Sequence, residues 1–306
     1  MPPLQQGSIR LFRFAGINVY LHWSWFLILV YGISTRRELY SSLAWPILDT
    51  ISLFLIVLLH EFGHSLACRS VGGKADRIVL WPLGGVAFVD PPPRPGPTLW
   101  SIVAGPAVNI MLAPIFIGLF LVASSSGWDG ARHDAYTFIK DVCEINIVLL
   151  LFNLLPIYPL DGGQILQSLL WFVLGRARSL MVTTVIGFIG AAGLVLLALL
   201  AKQPMFWVMT AFIILNCWGG LMQARLMVRI ARLPRRHGFA CPACGEHPPL
   251  GEFWRCHKCL KTFDTFATHA ICPHCGTPFP TTRCISCGNL TPIAEWLAAP
   301  VAPPRL

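Results

Sequence analysis

The sequence predicts an all-α polytopic membrane protein of six transmembrane helices, with a short cytoplasmic-side β-hairpin and a small cysteine-rich domain after the last helix. Three observations carry that expectation. Of 306 residues, 55% are hydrophobic and only 12% charged, where a soluble domain carries about 25% charged residues. The apolar residues come in blocks of about 20, long enough to cross roughly 30 Å of hydrocarbon as helices. After Arg236 the composition turns polar and rich in Cys, Gly and Pro.

The spans fall at 16–34, 49–70, 98–123, 139–175, 180–201 and 204–223. Residues 1–15 are polar and basic. The first apolar block is too long for a signal peptide and lacks a small-residue cleavage site, so it reads as a retained span. The fourth block is too long for one simple helix. Pro156, Pro159, Gly162 and Gly163 within it predict a break, which a membrane tolerates where the freed backbone faces protein or a water-filled cavity.

With the N-terminus in the cytoplasm, thirteen Lys and Arg residues fall in inside segments, among them Arg10, Arg13, Arg69, Arg94, Arg176 and Arg225. Five fall outside: Arg36, Arg37, Arg132, Lys140 and Lys202. That bias places both termini in the cytoplasm of a multi-pass cell-membrane protein. It also accounts for the net charge of +9 without nucleic acid.

Between spans two and three, Ile78–Trp81 and Val86–Val89 flank a Pro-Leu-Gly-Gly turn. Two short β-rich runs around such a turn predict a hairpin, and the following PPPRP run ends it because proline cannot donate to a ladder.

The sharpest motif is HEFGH at 60–64. Four residues apart on a helix, His60 and His64 share a face and can hold one zinc ion. Glu61 stands where it can take a proton from a zinc-bound water. Ionisable residues within an apolar helix are costly and mark function. Zinc needs a third protein ligand and an open fourth position. Asp161, at the break in span four, is the candidate, and Glu144 in the same span is its rival. His60 lies about 15 Å from the cytoplasmic end of span two by helical rise. Asp161 matches that depth, whereas Glu144 lies near the outer end. Asn109 in span three reads as a residue tying helices together, and His22 as an interfacial side chain.

Together, HEFGH, the LGG turn at 83–85, AGPAVN at 104–109 and NLLPIYPLDGG at 153–163 resemble the site-2 protease family of intramembrane zinc metalloproteases, over residues 10–225. The resemblance implies that His60, His64 and Asp161 are zinc ligands and Glu61 the catalytic acid/base. It further implies that Asn153 holds substrate or an oxyanion and that Gly84 and Gly85 belong to a substrate-presenting hairpin. Its substrates would be membrane proteins with a transmembrane helix, cut in or near it within the lipid bilayer. A prenyl-peptide-type protease would use a glutamate on a later helix, which NLLPIYPLDGG disfavours. A catalytically silent zinc-bound scaffold would have no need of Glu61.

The core is read as 1–236, followed by a cytoplasmic domain at 237–290 and a disordered tail at 291–306. The domain carries four C-x-x-C pairs: Cys241/Cys244, Cys256/Cys259, Cys272/Cys275 and Cys284/Cys287, with Gly245, Gly276 and Gly288 following three of them. Eight thiolates fill two structural zinc sites, giving three zinc ions in all. The simplest pairing joins the first two pairs and the last two, with interleaving open. The domain resembles a double zinc ribbon. Arg255, Lys258, Lys261 and Arg283 stand against Glu246, Glu252 and Asp264, so a protein partner suits it better than nucleic acid.

Overall fold

The computed structural model describes residues 7–81, 84–201 and 204–296, and the chain divides into two units, 1–224 and 225–306. In chain order the first unit runs β1 (Ser8–Phe14), β2 (Ile17–His22), α1 (Trp25–Arg36), α2 (Ala44–Ser70), β3 (Lys74–Trp81), β4 (Gly84–Asp90), α3 (Pro95–Ser125), a single turn α4 (Trp128–Ala131), α5 (His133–Leu154), α6 (Asp161–Leu174) and α7 (Arg176–Ala201). Helix α8 (Pro204–Ala231) runs across the boundary into the second unit.

Four described helices are long and apolar enough to cross a membrane: α2, α3, α7 and Phe206–Ala231 of α8. The six expected helical spans are therefore not all reproduced. The first, 16–34, is corrected outright: its first part is strand β2 and its second the 12-residue α1. Twelve residues rise only about 18 Å. A continuous apolar run does not distinguish strand from helix, and Ile17-Asn-Val-Tyr-Leu alternates as a strand does. The fourth block breaks as expected. Helix α5 ends at Leu154, and α6 starts at Asp161 after a six-residue link.

The expected hairpin is β3–β4, two strands of a larger sheet ordered β1-β2-β3-β4; its turn residues 82 and 83 lie outside the described residues. Strand β2 pairs parallel with β3, Val19 opposite Ile78 and Leu21 opposite Leu80. That face packs Ile17, Val19, Ile78 and Leu80 against Val57, Leu58 and Phe62 of α2. Strand β4 is one edge and β1 the other.

A buried polar knot fixes the opposite end of α2. Arg36 Nη1 lies 3.1 Å from Asp49 Oδ2 and 2.9 Å from Asp141 Oδ2. The Tyr40 hydroxyl donates to Asp49 at 2.7 Å. Buried carboxylates need such partners, and these tie α1 to both α2 and α5.

The second unit is two small hairpins, β5 (Trp254–Arg255) with β6 (Thr262–Phe263) and β7 (Thr281–Arg283) with β8 (Leu290–Pro292), joined by four copies of one turn. In each copy the N–H of the first cysteine donates to the carbonyl five residues on: Cys241 to Glu246, Cys256 to Lys261, Cys272 to Thr277 and Cys284 to Asn289, at 2.8–3.0 Å. The residue after the second cysteine is left-handed each time. It is Gly245, Gly276 and Gly288 in three turns and Leu260, at φ +61°, in the fourth.

The start of the expected disordered tail is ordered. Residues 290–292 are β8, and Ile293–Trp296 form a 3-10 turn that buries Trp296 against Phe266. The Ala240 N–H donates to the Trp296 carbonyl at 3.1 Å, joining the two ends of the domain. Alanine- and proline-rich composition masked a single aromatic anchor. Residues 297–306 lie outside the described residues.

Leu260 is exposed, so its side chain gains little from packing, while a left-handed backbone costs a residue with a Cβ about 1 kcal/mol. Leu260→Gly is expected to stabilise the second unit by about that amount. Thermal unfolding of the intact chain, followed by near-ultraviolet signals from Trp254 and Trp296, checks it; a lowered midpoint contradicts the strain argument.

Candidate metal centre

Helix α2 sets two histidines one turn apart, and both rings are buried. Each ring is fixed through Nδ1. His60 Nδ1 lies 2.6 Å from Asn109 Oδ1, and His64 Nδ1 lies 2.9 Å from the Ser101 carbonyl. A carbonyl can only accept, so His64 carries its proton on Nδ1. The Asn109 amide donates through Nδ2 to Asn146 Oδ1 at 2.8 Å, and Asn146 Nδ2 donates back to the Asn109 carbonyl at 3.0 Å. That reciprocal pair fixes Asn109 Oδ1 as the acceptor for His60. Both histidines therefore turn Nε2 toward one point, and in the neutral ring that nitrogen is free to be a ligand.

The two Nε2 atoms are 3.1 Å apart. Asp161 Oδ2, from the first turn of α6, lies 2.9 Å from that of His60 and 3.3 Å from that of His64. Three lone-pair atoms held this close repel unless a proton or a metal cation lies between them. Ligand atoms on a tetrahedral ion with bonds of about 2.0–2.1 Å stand about 3.3 Å apart. The donor set therefore fits zinc. Glu144, the rival third ligand, is exposed on α5 and faces Lys140 at 3.6 Å.

Two glycines make the approach feasible. A Cβ on Gly105 of α3 would collide with both Nε2 atoms, and one on Gly85 of β4 would collide with the Glu61 carboxylate. Glu61 is buried, and its Oε2 accepts from the Ala87 N–H of β4 at 2.8 Å. The edge of the sheet thus reaches the glutamate of HEFGH. Gly84 opens β4 at φ +135°. Asn153 lies in the last turn of α5, half-buried, with no hydrogen-bond partner among the described residues.

Sequence reasoning missed Asn146, Ser101 and Gly105, and assigned Asn109 only half its role. Asn109 does tie helices together, and it also orients His60. The available signal was AGPAVN itself: a fully buried asparagine in an apolar helix needs partners, and Asn146 lies in the neighbouring span.

The cysteines form two further clusters, and their pairing corrects the sequential one. Cys241 and Cys244 join Cys284 and Cys287; Cys256 and Cys259 join Cys272 and Cys275. The inner site sits inside the outer one. The closest Sγ···Sγ distances, 3.6–3.8 Å, match the roughly 3.8 Å edge of a tetrahedron with 2.3 Å zinc–sulfur bonds and exceed the 2.05 Å of a disulfide. A hydrogen bond with Thr277 Oγ1 holds the Cys275 thiol down at about 6, toward the thiolate a metal binds.

Fold and site define a class: a multi-pass membrane protein with a buried metal-ligand triad of the zinc metalloprotease kind. A profile of peptidase family M50 matches residues 49–144 and 129–197. A zinc metalloprotease of Methanocaldococcus jannaschii is 34% identical over 208 residues, covering 67% of this chain and 58% of its own. Stage IV sporulation protein FB of Bacillus subtilis is 31% identical over 167 residues, covering 53% and 55%. The solved structure of the site-2 protease from Methanocaldococcus jannaschii matches at a TM-score of 0.51 and 30% identity, over 70% of this chain and 95% of that one. The chain belongs to peptidase family M50, the site-2 proteases. It spans little more than half the length of these two curated relatives.

Two measurements follow from this geometry. Asn109→Ala frees the His60 ring and is expected to weaken zinc binding about 10- to 100-fold, read by competition with a chelator; unchanged affinity contradicts the orienting role. For the cysteines, Cys241→Ser with Cys287→Ser strikes one site under nested pairing and should remove one zinc. Loss of two would restore the sequential pairing.

Proposed function

We propose that this chain is an intramembrane zinc metalloprotease that hydrolyses peptide bonds in or near the transmembrane segments of membrane proteins. The observation that carries the reading is the convergence of His60 Nε2, His64 Nε2 and Asp161 Oδ2 within about 3 Å, with Glu61 adjoining His60 in the sequence. These three residues would hold the catalytic zinc. When bound, zinc acidifies a water and polarises the substrate carbonyl.

Glu61 accepts the proton of the attacking water and returns it to the leaving nitrogen. Its hydrogen bond from Ala87 holds one carboxylate oxygen in place and leaves the other for that transfer. Asn153 offers an uncommitted amide to the carbonyl oxygen as negative charge builds on it. A helical substrate hides its scissile bond in its own hydrogen bonds, so it must unwind. Strand β4, the sheet edge beside Glu61, receives the unwound segment by strand addition, and Gly84 and Gly85 keep that edge free of side chains.

The excess of Lys and Arg in the inside segments places both termini in the cytoplasm. The second unit binds two structural zinc ions and serves a protein partner or substrate selection. The span boundaries aside, residues 1–236 form the protease core and 237–290 the zinc ribbon.

Glu61→Gln is expected to abolish cleavage of a full-length membrane substrate by the purified protein, by at least about 100-fold, while keeping zinc. Near-normal proteolysis rules the mechanism out. Removing residues 237–306 should lower zinc from three ions to one per chain; an unchanged metal count means that the cysteines hold none.

A further inference from the structure

Strand β1 is the sheet edge farthest from Glu61, with two strands between it and β4. Its pairing with β2 sorts its side chains onto two faces. Residues directly opposite each other in an antiparallel pair share a face. Ile9 stands opposite Leu21, Phe12 opposite Val19 and Phe14 opposite Ile17. Val19 and Ile17 are wholly buried against α2, yet Ile9, Phe12 and Phe14 are 57%, 42% and 61% exposed. Phe14 meets Phe62 of α2 edge-on at 5.6 Å, and beyond that contact the apolar face of the sheet runs on uncovered. Arg10 stands opposite Tyr20 and Arg13 opposite Asn18, which in turn aligns with Arg77 of β3. Arg10 and Arg13 are exposed and have no acidic partner among the described residues, whereas Arg77 is taken by Asp76 at 3.3 Å.

The two faces make opposite demands. Three large exposed apolar side chains in a row do not suit water, and two unpaired guanidiniums do not suit hydrocarbon. A strand bearing both has one comfortable place, the boundary between acyl chains and headgroups. The connections agree: β3 follows α2 and β4 leads into α3, so the sheet lies where two membrane helices end and begin.

We propose that β1 is an interfacial strand that binds anionic phospholipid. Ile9, Phe12 and Phe14 enter the acyl boundary, and Arg10 and Arg13 bind the phosphates as paired N–H donors. Net negative charge in the lipid is what two uncompensated cations select. The site is separate from the metal centre and does not rest on the proteolytic reading.

The test uses the full chain with a benzophenone photoprobe at position 12, in vesicles of equal phosphatidylcholine and phosphatidylglycerol at low salt. After illumination, mass spectrometry identifies what is attached. The expected result is a phospholipid adduct enriched in phosphatidylglycerol by about tenfold or more, the scale set by two basic residues at an anionic surface. Arg10→Gln with Arg13→Gln should return the adducts to the vesicle ratio, and Arg10→Lys with Arg13→Lys should keep the enrichment. Adducts at the vesicle ratio with both arginines present would overturn the proposal. So would attachment to a second copy of the chain, which would make β1 an edge for strand pairing.

Discussion

Two imidazole nitrogens and a carboxylate oxygen, each presenting a lone pair, meet within about 3 Å inside a bundle of apolar helices. Nothing in that interior solvates them, so the arrangement needs a shared proton or a bound cation, and its three-atom geometry fits zinc. Much of the first unit serves to hold it. Helix α2 supplies the histidines, α3 supplies Asn109, Ser101 and the bare Gly105, α5 locks Asn109 through Asn146, and the break after α5 lets Asp161 begin a new helix facing inward. Removing any one element leaves buried polar groups without partners.

The sheet belongs to the same argument. Its inner face packs on α2 through Val57, Leu58 and Phe62, the last of them inside the HEFGH segment. Its β4 edge delivers the Ala87 N–H to Glu61. The backbone hydrogen bonding that makes β4 a strand thus also fixes the position of the carboxylate. A helix in place of the sheet would have spent those N–H groups internally.

The site was largely legible in the sequence because its chemistry is local. Four-residue spacing on a helix brings His60 and His64 together whatever the rest of the chain does, and Pro156 and Pro159 announce the break that frees Asp161. What the sequence concealed depended on partners far along the chain. Residues 17–22 are as apolar as a helix and become a strand because β3 lies beside them. Asn146 looks like any polar residue in a span until Asn109 is seen opposite it. The four C-x-x-C pairs are identical in form, so spacing could not tell nested from sequential pairing, and Trp296 lay hidden in an unpromising tail.

Nesting gives the cysteine domain a chronology. With metal in both sites, the inner one closes a loop of 13 residues, from Cys259 to Cys272, and the outer one a loop of 40, from Cys244 to Cys284. Closing the longer loop first would cost about 1 kcal/mol more in chain entropy. The ribosome imposes the same order, since Cys284 emerges after the inner set is complete. Until then Cys241 and Cys244 are an orphaned half-site, able to hold an ion weakly but unable to finish its shell. The last turn made is therefore the clasp that closes the domain, and Trp296, docked just beyond it, seals the same end.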